Sequence, residues 1–514
     1  MHYSPLTVLA LLGGTLLLYC SGLVIYRLVF DPLSKFPGPK LSAATFWYEF
    51  YYDVIKKGQF TFKIGEWHKQ YGPIIRINPY EIHIDDPEGD FYHTVFSGTG
   101  VRDKHFWYAS QFGTPESGLG TINHHLHRHR RRALNPSFSK ASIVRLTPVI
   151  WSKIEKLCSR FDELRGTDQP VNVRLAYTCL TTDVITSYAF NRCWNHLDKP
   201  DFSPVWCKTL VNGSKMTRWT KQFPWMLETM KKMPQALVGF FDPGMLLVFD
   251  VMNKIHHQIL DILNGKQEVE DSATDGLSKS PIPNRTIFHE LLKSDLPDYD
   301  KTIHHLGQEG QNIIGAGADT TSNALTVITY HLLSNPRVLG KLKEELERAM
   351  PDRYGAWDLK VAEGLPYLGG VIQEGLRLAY GASSRLTRVA PEEDLNFDGW
   401  FIQKGTPISM TALYMHHNEK IFPNSHTFLP ERWTDAPDGG RSLDRYLVSF
   451  SKGSRQCIGI NLAKVELFLT LATVFRRFEM DLHDTVFERD VQLKHDFFLP
   501  QPSMQSNGVR VIFK

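Results

Sequence analysis

From Leu6 to Tyr26 the sequence holds no charged residue and is dominated by Leu, Val and Ile. At about 1.5 Å of rise per residue, a helix over this run is roughly 30 Å long, the thickness of the hydrocarbon core of a bilayer. The run therefore reads as a transmembrane anchor over residues 6–26. A cleaved signal peptide would place basic residues ahead of a shorter apolar stretch, and a buried core helix fits neither the length nor the terminal position. Arg27, Lys35 and Lys40 follow the span, so the positive-inside rule puts residues 1–5 in the lumen and the body of the chain in the cytosol. Next comes Phe36-Pro37-Gly38-Pro39, whose two prolines deny the backbone a helical path, and residues 27–45 read as a stiff Pro-rich hinge.

The 58 Lys and Arg residues nearly balance 55 Asp and Glu, leaving no excess charge for non-specific binding of a polyanion, and nucleic acid is not an expected partner. Six cysteines without a C-x-x-C pair fit a reducing compartment rather than a zinc or disulfide framework. Residues 74–77 and 81–84, separated by Asn78-Pro79, alternate as a small hairpin does. Most of the remainder reads as helical, including a long helix from near Asp300 to Leu333 stopped by Asn335-Pro336, and a following one ending near Met350. The stretch 264–285 lacks apolar periodicity and reads as a surface loop inserted within a single domain, residues 46–514.

The strongest chemical signal is Phe450-Ser451-Lys452-Gly453-Ser454-Arg455-Gln456-Cys457-Ile458-Gly459, leading into an apolar helix. A helix amino terminus and nearby N–H groups stabilise a thiolate. Gly453 can take a positive φ, and Gly459 admits close packing against a flat macrocycle. Arg455 offers a fork of donors suited to a carboxylate. An isolated cysteine would read as an ordinary buried thiol, but this whole pattern resembles the haem-binding signature of the cytochrome P-450 superfamily. The resemblance implies a mainly α fold with a small β part (α+β) and a haem b whose iron is bound by Cys457, with Phe450, Arg455 and Gly459 beside it.

The same resemblance extends to other segments. Glu374 and Arg377 stand three residues apart on one helical face, and with Arg432 of Pro430-Glu431-Arg432-Trp433 they match a buried structural network; Trp stands where the family more often has Phe. Gly315-Ala316-Gly317-Ala318-Asp319-Thr320-Thr321 falls in the long helix, where each interior glycine costs about 1 kcal/mol and so argues for a close neighbour on that face. By resemblance Ala316 lies over the haem, Asp319 relays protons from solvent, and Thr320 donates a hydrogen bond where oxygen is activated. His127 and Arg131, one turn apart in the basic run His124 to Arg132, are expected to bind a propionate. Arg128, Arg130 and Arg132 form either a solvated face or a dock for an acidic reductase. A further propionate ligand falls on Arg385 or Arg388, with alignment through Val389 favouring Arg388.

No complete G-x-G-x-x-G follows a strand, so electrons are expected to come from NADPH through a separate protein, NADPH-cytochrome P-450 reductase, at the endoplasmic reticulum membrane. The apolar stretch 223–252 reads either as a lid dipping into lipid or as core. Residues 101–120, with Ser383 and Ser384, fall where relatives shape substrate pockets. The globular part resembles fungal-type enzymes of the trichodiene oxygenase-like branch, which implies an apolar terpenoid or polyketide substrate and insertion of one atom of O2 by hydroxylation or epoxidation. A haem-thiolate isomerase or dehydratase that consumes no O2, and a haem-binding sensor without turnover, are the alternatives. Sequons at Asn212 and Asn284 are expected to stay unglycosylated in a cytosolic body.

Overall fold

The computed structural model describes residues 4–86, 88–265, 286–435 and 441–514. The loop expected over 264–285 therefore lies outside the described residues from 266 onward. Ser4 caps helix α1 (Pro5–Ile25), accepting the Thr7 N–H at 3.2 Å, and Pro5 fills the first turn, where no N–H is needed. None of its residues is buried. A wider turn over Tyr26–Phe30 continues the helix, so the segment long and apolar enough to cross a membrane spans Pro5–Phe30, beyond the expected boundary at Tyr26.

The proline segment is strapped to the body. Pro37 O accepts the Arg76 N–H at 2.7 Å, and Gly38 (φ 149°) comes so close that a Cβ would stand 2.4 Å from Arg76 O. Arg76 reaches on to Arg27 O at 2.6 Å, Arg27 donates to Ala44 O at 2.7 Å, and Leu33 and Phe36 are buried.

In chain order the main elements are strands β1 (Ile74–Arg76) and β2 (Ile82–Ile84), then helices α2 (His124–Leu134), α3 (Lys140–Leu164), α4 (Val173–Phe190), α5 (Pro204–Gln222), α6 (Pro243–Leu263), α7 (Ile303–Leu333), α8 (Pro336–Ala349) and α9 (Pro366–Ala379). Strands β3 (Leu386–Val389) and β4 (Pro407–Met410) and helix α10 (Ile460–Arg477) complete the frame. The expected hairpin forms, with Ile74 opposite Ile84, and extends into a mixed sheet ordered β1-β2-β4-β3 in which β2 and β4 run parallel. The long helix begins at Ile303, where Thr302 caps it. The architecture is thus mainly α with a small β part. Helix α7 crosses the middle, packed along α4 and against α6, α9 and α10. The largest apolar cluster gathers around these helices, and a second one covers the sheet.

The stretch 223–252 folds as two short helices, Met226–Lys232 and Gln235–Phe241, followed by the start of α6. Their inner faces bury Leu227, Val238 and Met245 against Met216, Met230 and Leu246. Trp225, Phe240 and Phe241 stay exposed. The inner faces thus bear out the expectation of core packing.

Glu374 and Arg377 in α9 are fully buried. Arg377 Nε and NH2 donate to the two Glu374 oxygens at 2.9 and 2.8 Å, and Arg432 Nε donates to Oε1 at 3.0 Å. The Trp433 indole N–H adds a bond to Oε2 at 3.0 Å, a donor that Phe would lack. Arg377 also fastens the chain ahead of the cysteine loop through His416 O at 2.7 Å. A buried ion pair broken from one side leaves an uncompensated charge. Glu374→Ala should accordingly lower unfolding free energy by about 3–5 kcal/mol, and Trp433→Phe by about 1 kcal/mol, both read from denaturant midpoints.

Candidate active site

The cysteine loop is shaped by backbone that only particular residues tolerate. Ser451 (φ 55°) and Gly453 (φ 72°) are left-handed, and a Cβ on Gly453 would stand 1.9 Å from Phe96 O. Cys457 N–H donates to Phe450 O at 2.9 Å, closing the loop, and Phe450 packs against the main core. Helix α10 starts three residues later at Ile460, so its positive end faces the loop. Burial pushes the Cys457 thiol up, while a hydrogen bond from Gly459 N–H and the Arg131 guanidinium pull it back down. Gly459 leaves the sulfur open: a Cβ there would be 3.9 Å from it, at ordinary contact distance.

Cys457, Ala316 and Thr320 are exposed although they belong to elements that run through the core. They line interior space. Ala316 and Thr320 lie one turn apart on the same face of α7, and Thr320 Oγ1 donates to Ala316 O at 2.9 Å. Asp319 points elsewhere. It is 2% exposed, its Oδ1 is ion-paired with Arg174 of α4, and its Oδ2 is buried without a partner. Arg174 in turn donates to Asn323 Oδ1 at 2.6 Å. The two glycines serve different purposes: a Cβ on Gly317 would stand 2.8 Å from Ile185, so this residue lets α4 approach, whereas Gly315 borders open space.

Five basic side chains gather beside the sulfur. Arg455 donates to Thr121 O at 2.7 Å and to Ile122 O, yet its Nε is buried with no partner. His127 Nδ1 is buried and unpartnered too. Arg131 donates to Gln456 O at 2.6 Å, and Arg388 to Thr387 O at 2.9 Å. The fifth is Lys104, which sequence reasoning missed. It reaches Leu119 O and is brought next to Arg388 by a two-way backbone bridge between Asp103 and Val389, 2.9 Å in each direction. Burial, then the Arg455 charge, lowers His127 to about 2, and burial followed by Arg388 lowers Arg455 to about 9. Lys104 is pushed well below its ordinary value by burial and by Arg455, Arg388 and Arg131.

Among the described residues none of the five makes an ion pair with a carboxylate. A buried group of this kind fits a doubly negative ligand, and the two propionates of haem b match it. Arg385 does not belong to this group, because Glu81 and Glu49 hold it at 3.0 and 2.9 Å. Arg130 also departs from the expected solvated face: helical spacing turns it inward, where it pairs with Asp300 at 2.7 Å. Only Arg128 and Arg132 of that trio are exposed.

The loop over 101–120 is fastened to α7, with Gly118 N–H donating to Glu309 at 2.7 Å and Asn312 Nδ2 to Thr114 at 3.2 Å. Ser383 and Ser384 both donate to Asp496 Oδ1, at 2.8 and 2.7 Å. Arg174, Glu309 and Lys104 carry no local motif, and only the packing of distant segments reveals them. Because the basic cluster repels itself, Lys104→Met and Arg388→Met should each stabilise the haem-free protein by about 1–4 kcal/mol while speeding haem loss. Thermal melts of the two forms check both signs.

The Cytochrome P450 family model matches residues 37–507. Relatives include "Cytochrome P450 monooxygenase tpcC" of Cochliobolus heterostrophus, 42% identical over 99% of this chain and 97% of that protein. "Tryptophan 6-hydroxylase fscE" of Fusarium equiseti is 40% identical over 96% of this chain and 94% of its own length. "N-acetyltryptophan 6-hydroxylase ivoC" of Emericella nidulans is 41% identical over 98% and 96%. With the match running from the proline segment almost to the carboxyl terminus, through the cysteine loop and the long helix, the chain belongs to the cytochrome P450 family of haem-thiolate enzymes.

Proposed function

We propose that Cys457 would supply the sulfur ligand of haem b, that Lys104, His127, Arg131, Arg388 and Arg455 would take up its propionates, and that Phe450, Gly459 and Ala316 would lie beside it. The observation that carries this assignment is the buried, carboxylate-free basic cluster beside an exposed cysteine. Like its relatives the chain is a monooxygenase, and bound haem supplies the redox chemistry that activates O2 with two electrons drawn from NADPH through a reductase.

The chain's own part is to hold, orient and deliver protons. Arg174 holds Asp319 in an ion pair and itself borders a side cavity with Asn323, Lys215 and Asp490. A proton taken up there reaches Thr320, the next residue, by rotation of the Asp319 carboxyl. Thr320 then exchanges its bond to Ala316 O for one into the interior space.

Two relatives are named for hydroxylating tryptophan or N-acetyltryptophan. Phe112, from the 101–120 loop, meets Phe498 edge to face at 4.9 Å. Those names favour hydroxylation of an aromatic ring as the first activity to test, beside the terpenoid and polyketide skeletons expected from sequence. The body faces the cytosol at the endoplasmic reticulum, held by the Pro5–Phe30 span, with Trp225, Phe240 and Phe241 resting in lipid and NADPH-cytochrome P-450 reductase docking by Arg128 and Arg132.

The reduced protein with carbon monoxide should show the red-shifted Soret band of thiolate ligation, and Cys457→Ala should abolish it. With tryptophan and N-acetyltryptophan as first probes, label from 18O2 should appear in product. Asp319→Asn should slow turnover by about 10²-fold, and Thr320→Ala should divert NADPH into peroxide. An unshifted Soret band, or product free of label, would refute this function.

A further inference from the structure

The carboxyl-terminal end of α5 enters a buried ionic network that neither the basic cluster nor the proton path uses. Lys221 Nζ lies 2.8 Å from Glu49 Oε1 and is also ion-paired with Asp53. Glu49 accepts in addition from Arg385 Nη2 at 2.9 Å and from Asn78 Nδ2 at 3.1 Å. Arg385 Nε donates onward to Glu81 Oε1 at 3.0 Å, where Thr387 Oγ1 adds a bond at 2.8 Å. All five ionisable groups are buried. Three carboxylates face two cations, and burial pushes Asp53 up, in the direction that evens the count. Glu49 and Asp53 lie in the turns Trp47–Phe50 and Tyr51–Ile55, while Glu81 and Arg385 stand directly before β2 and β3. Of the five, Lys221 alone comes from α5.

The same end of α5 covers the 101–120 loop. That loop is fastened on one side by the Asp103–Val389 bridge and on the other by α7. Its middle lies between α5 and the amino-terminal segment: Thr220 Oγ1 donates to Gln111 O at 2.6 Å, and Trp107 stacks on Phe46 at 4.1 Å. Phe223 meets Trp47 and Phe50 at 6.4 and 5.8 Å, and Arg218 donates to Asp53 O at 3.0 Å. Ring contacts tolerate sliding, because apolar burial is non-directional. A buried ammonium drawn off its carboxylates becomes a charge without compensation, so Lys221 is the contact that most resists displacement of this end.

We propose that Lys221 is a positioning residue that latches the end of α5 over the middle of the 101–120 loop, and that a bulky ligand reaches the interior space beside Ala316 and Thr320 only when this latch parts. The passage rests on the reading of that space as the haem and substrate site, whereas the latch itself does not.

The test uses the full-length, haem-loaded protein and two iron ligands of different size, imidazole and a biphenylmethyl imidazole, followed by stopped-flow absorbance. Lys221→Met should raise both the association and the dissociation rate of the bulky ligand on the order of tenfold, keeping its Kd within about twofold. The rates for imidazole itself should stay as in wild type, which a general loosening of the fold would not allow. Amide hydrogen exchange over 218–224 should quicken in Lys221→Met, and to a smaller extent in Asp53→Asn, where Lys221 keeps its bond to Glu49. Unchanged rates for the bulky ligand, or equal acceleration of both ligands, would overturn the proposal. If Lys221→Met does not hold haem, the same two rates and the exchange of Asp53→Asn decide. Wild type that binds neither imidazole at iron would instead count against the haem reading, and the exchange data would then judge the latch alone.

Discussion

Five basic groups crowded into the interior repel one another, and much of the surrounding architecture follows from holding them there. Four of them are anchored through backbone carbonyls at Thr121, Ile122, Gln456, Thr387 and Leu119, while His127 Nδ1 has no partner. Carbonyl dipoles fix the positions of the cations without cancelling their charge, so the cluster keeps its demand for a dianion. The Arg455 bonds join the cysteine loop to the loop before α2, and the Asp103–Val389 bridge adds strand β3. The basic cluster and the junction of three distant segments are thus one object.

Helix α7 divides its work by face. Ala316 and Thr320 look into the interior space, while Asp319 turns toward α4 and is clamped by Arg174. Adjacent residues in a helix lie about 100° apart, so neighbours in sequence serve separate tasks. Gly317 also faces α4, further along, where that helix comes close enough to exclude a side chain. Behind the cysteine loop, Glu374 gathers Arg377, Arg432 and Trp433 around one carboxylate, so that two segments share a single buried network.

The motifs were legible wherever their chemistry is local. Gly453 is forced by a backbone angle, the pair Glu374 and Arg377 by a three-residue spacing, and the span by the thickness of a bilayer. Asp319 and Thr320 were legible as a pair, but their opposite orientations were not, because these depend on what lies against each face of the helix. Arg385 and Arg388 are three residues apart and could not be separated by spacing. Packing separates them: Glu49 and Glu81 claim the first, and the bridge to Asp103 draws the second into the basic cluster.

By itself the sequence determined that an apolar helix precedes a mainly helical body and that a single cysteine sits in a loop built to present it. Hydrophobic periodicity, backbone sterics and the length of an uncharged run act over a few residues, and for that reason they can be read from order alone. Tertiary structure decided which charges meet. Lys104, Arg131, Arg388 and Arg455, like Arg174 with Asp319, come from segments far apart in the chain, and electrostatic and hydrogen-bonding contacts depend on distance in space.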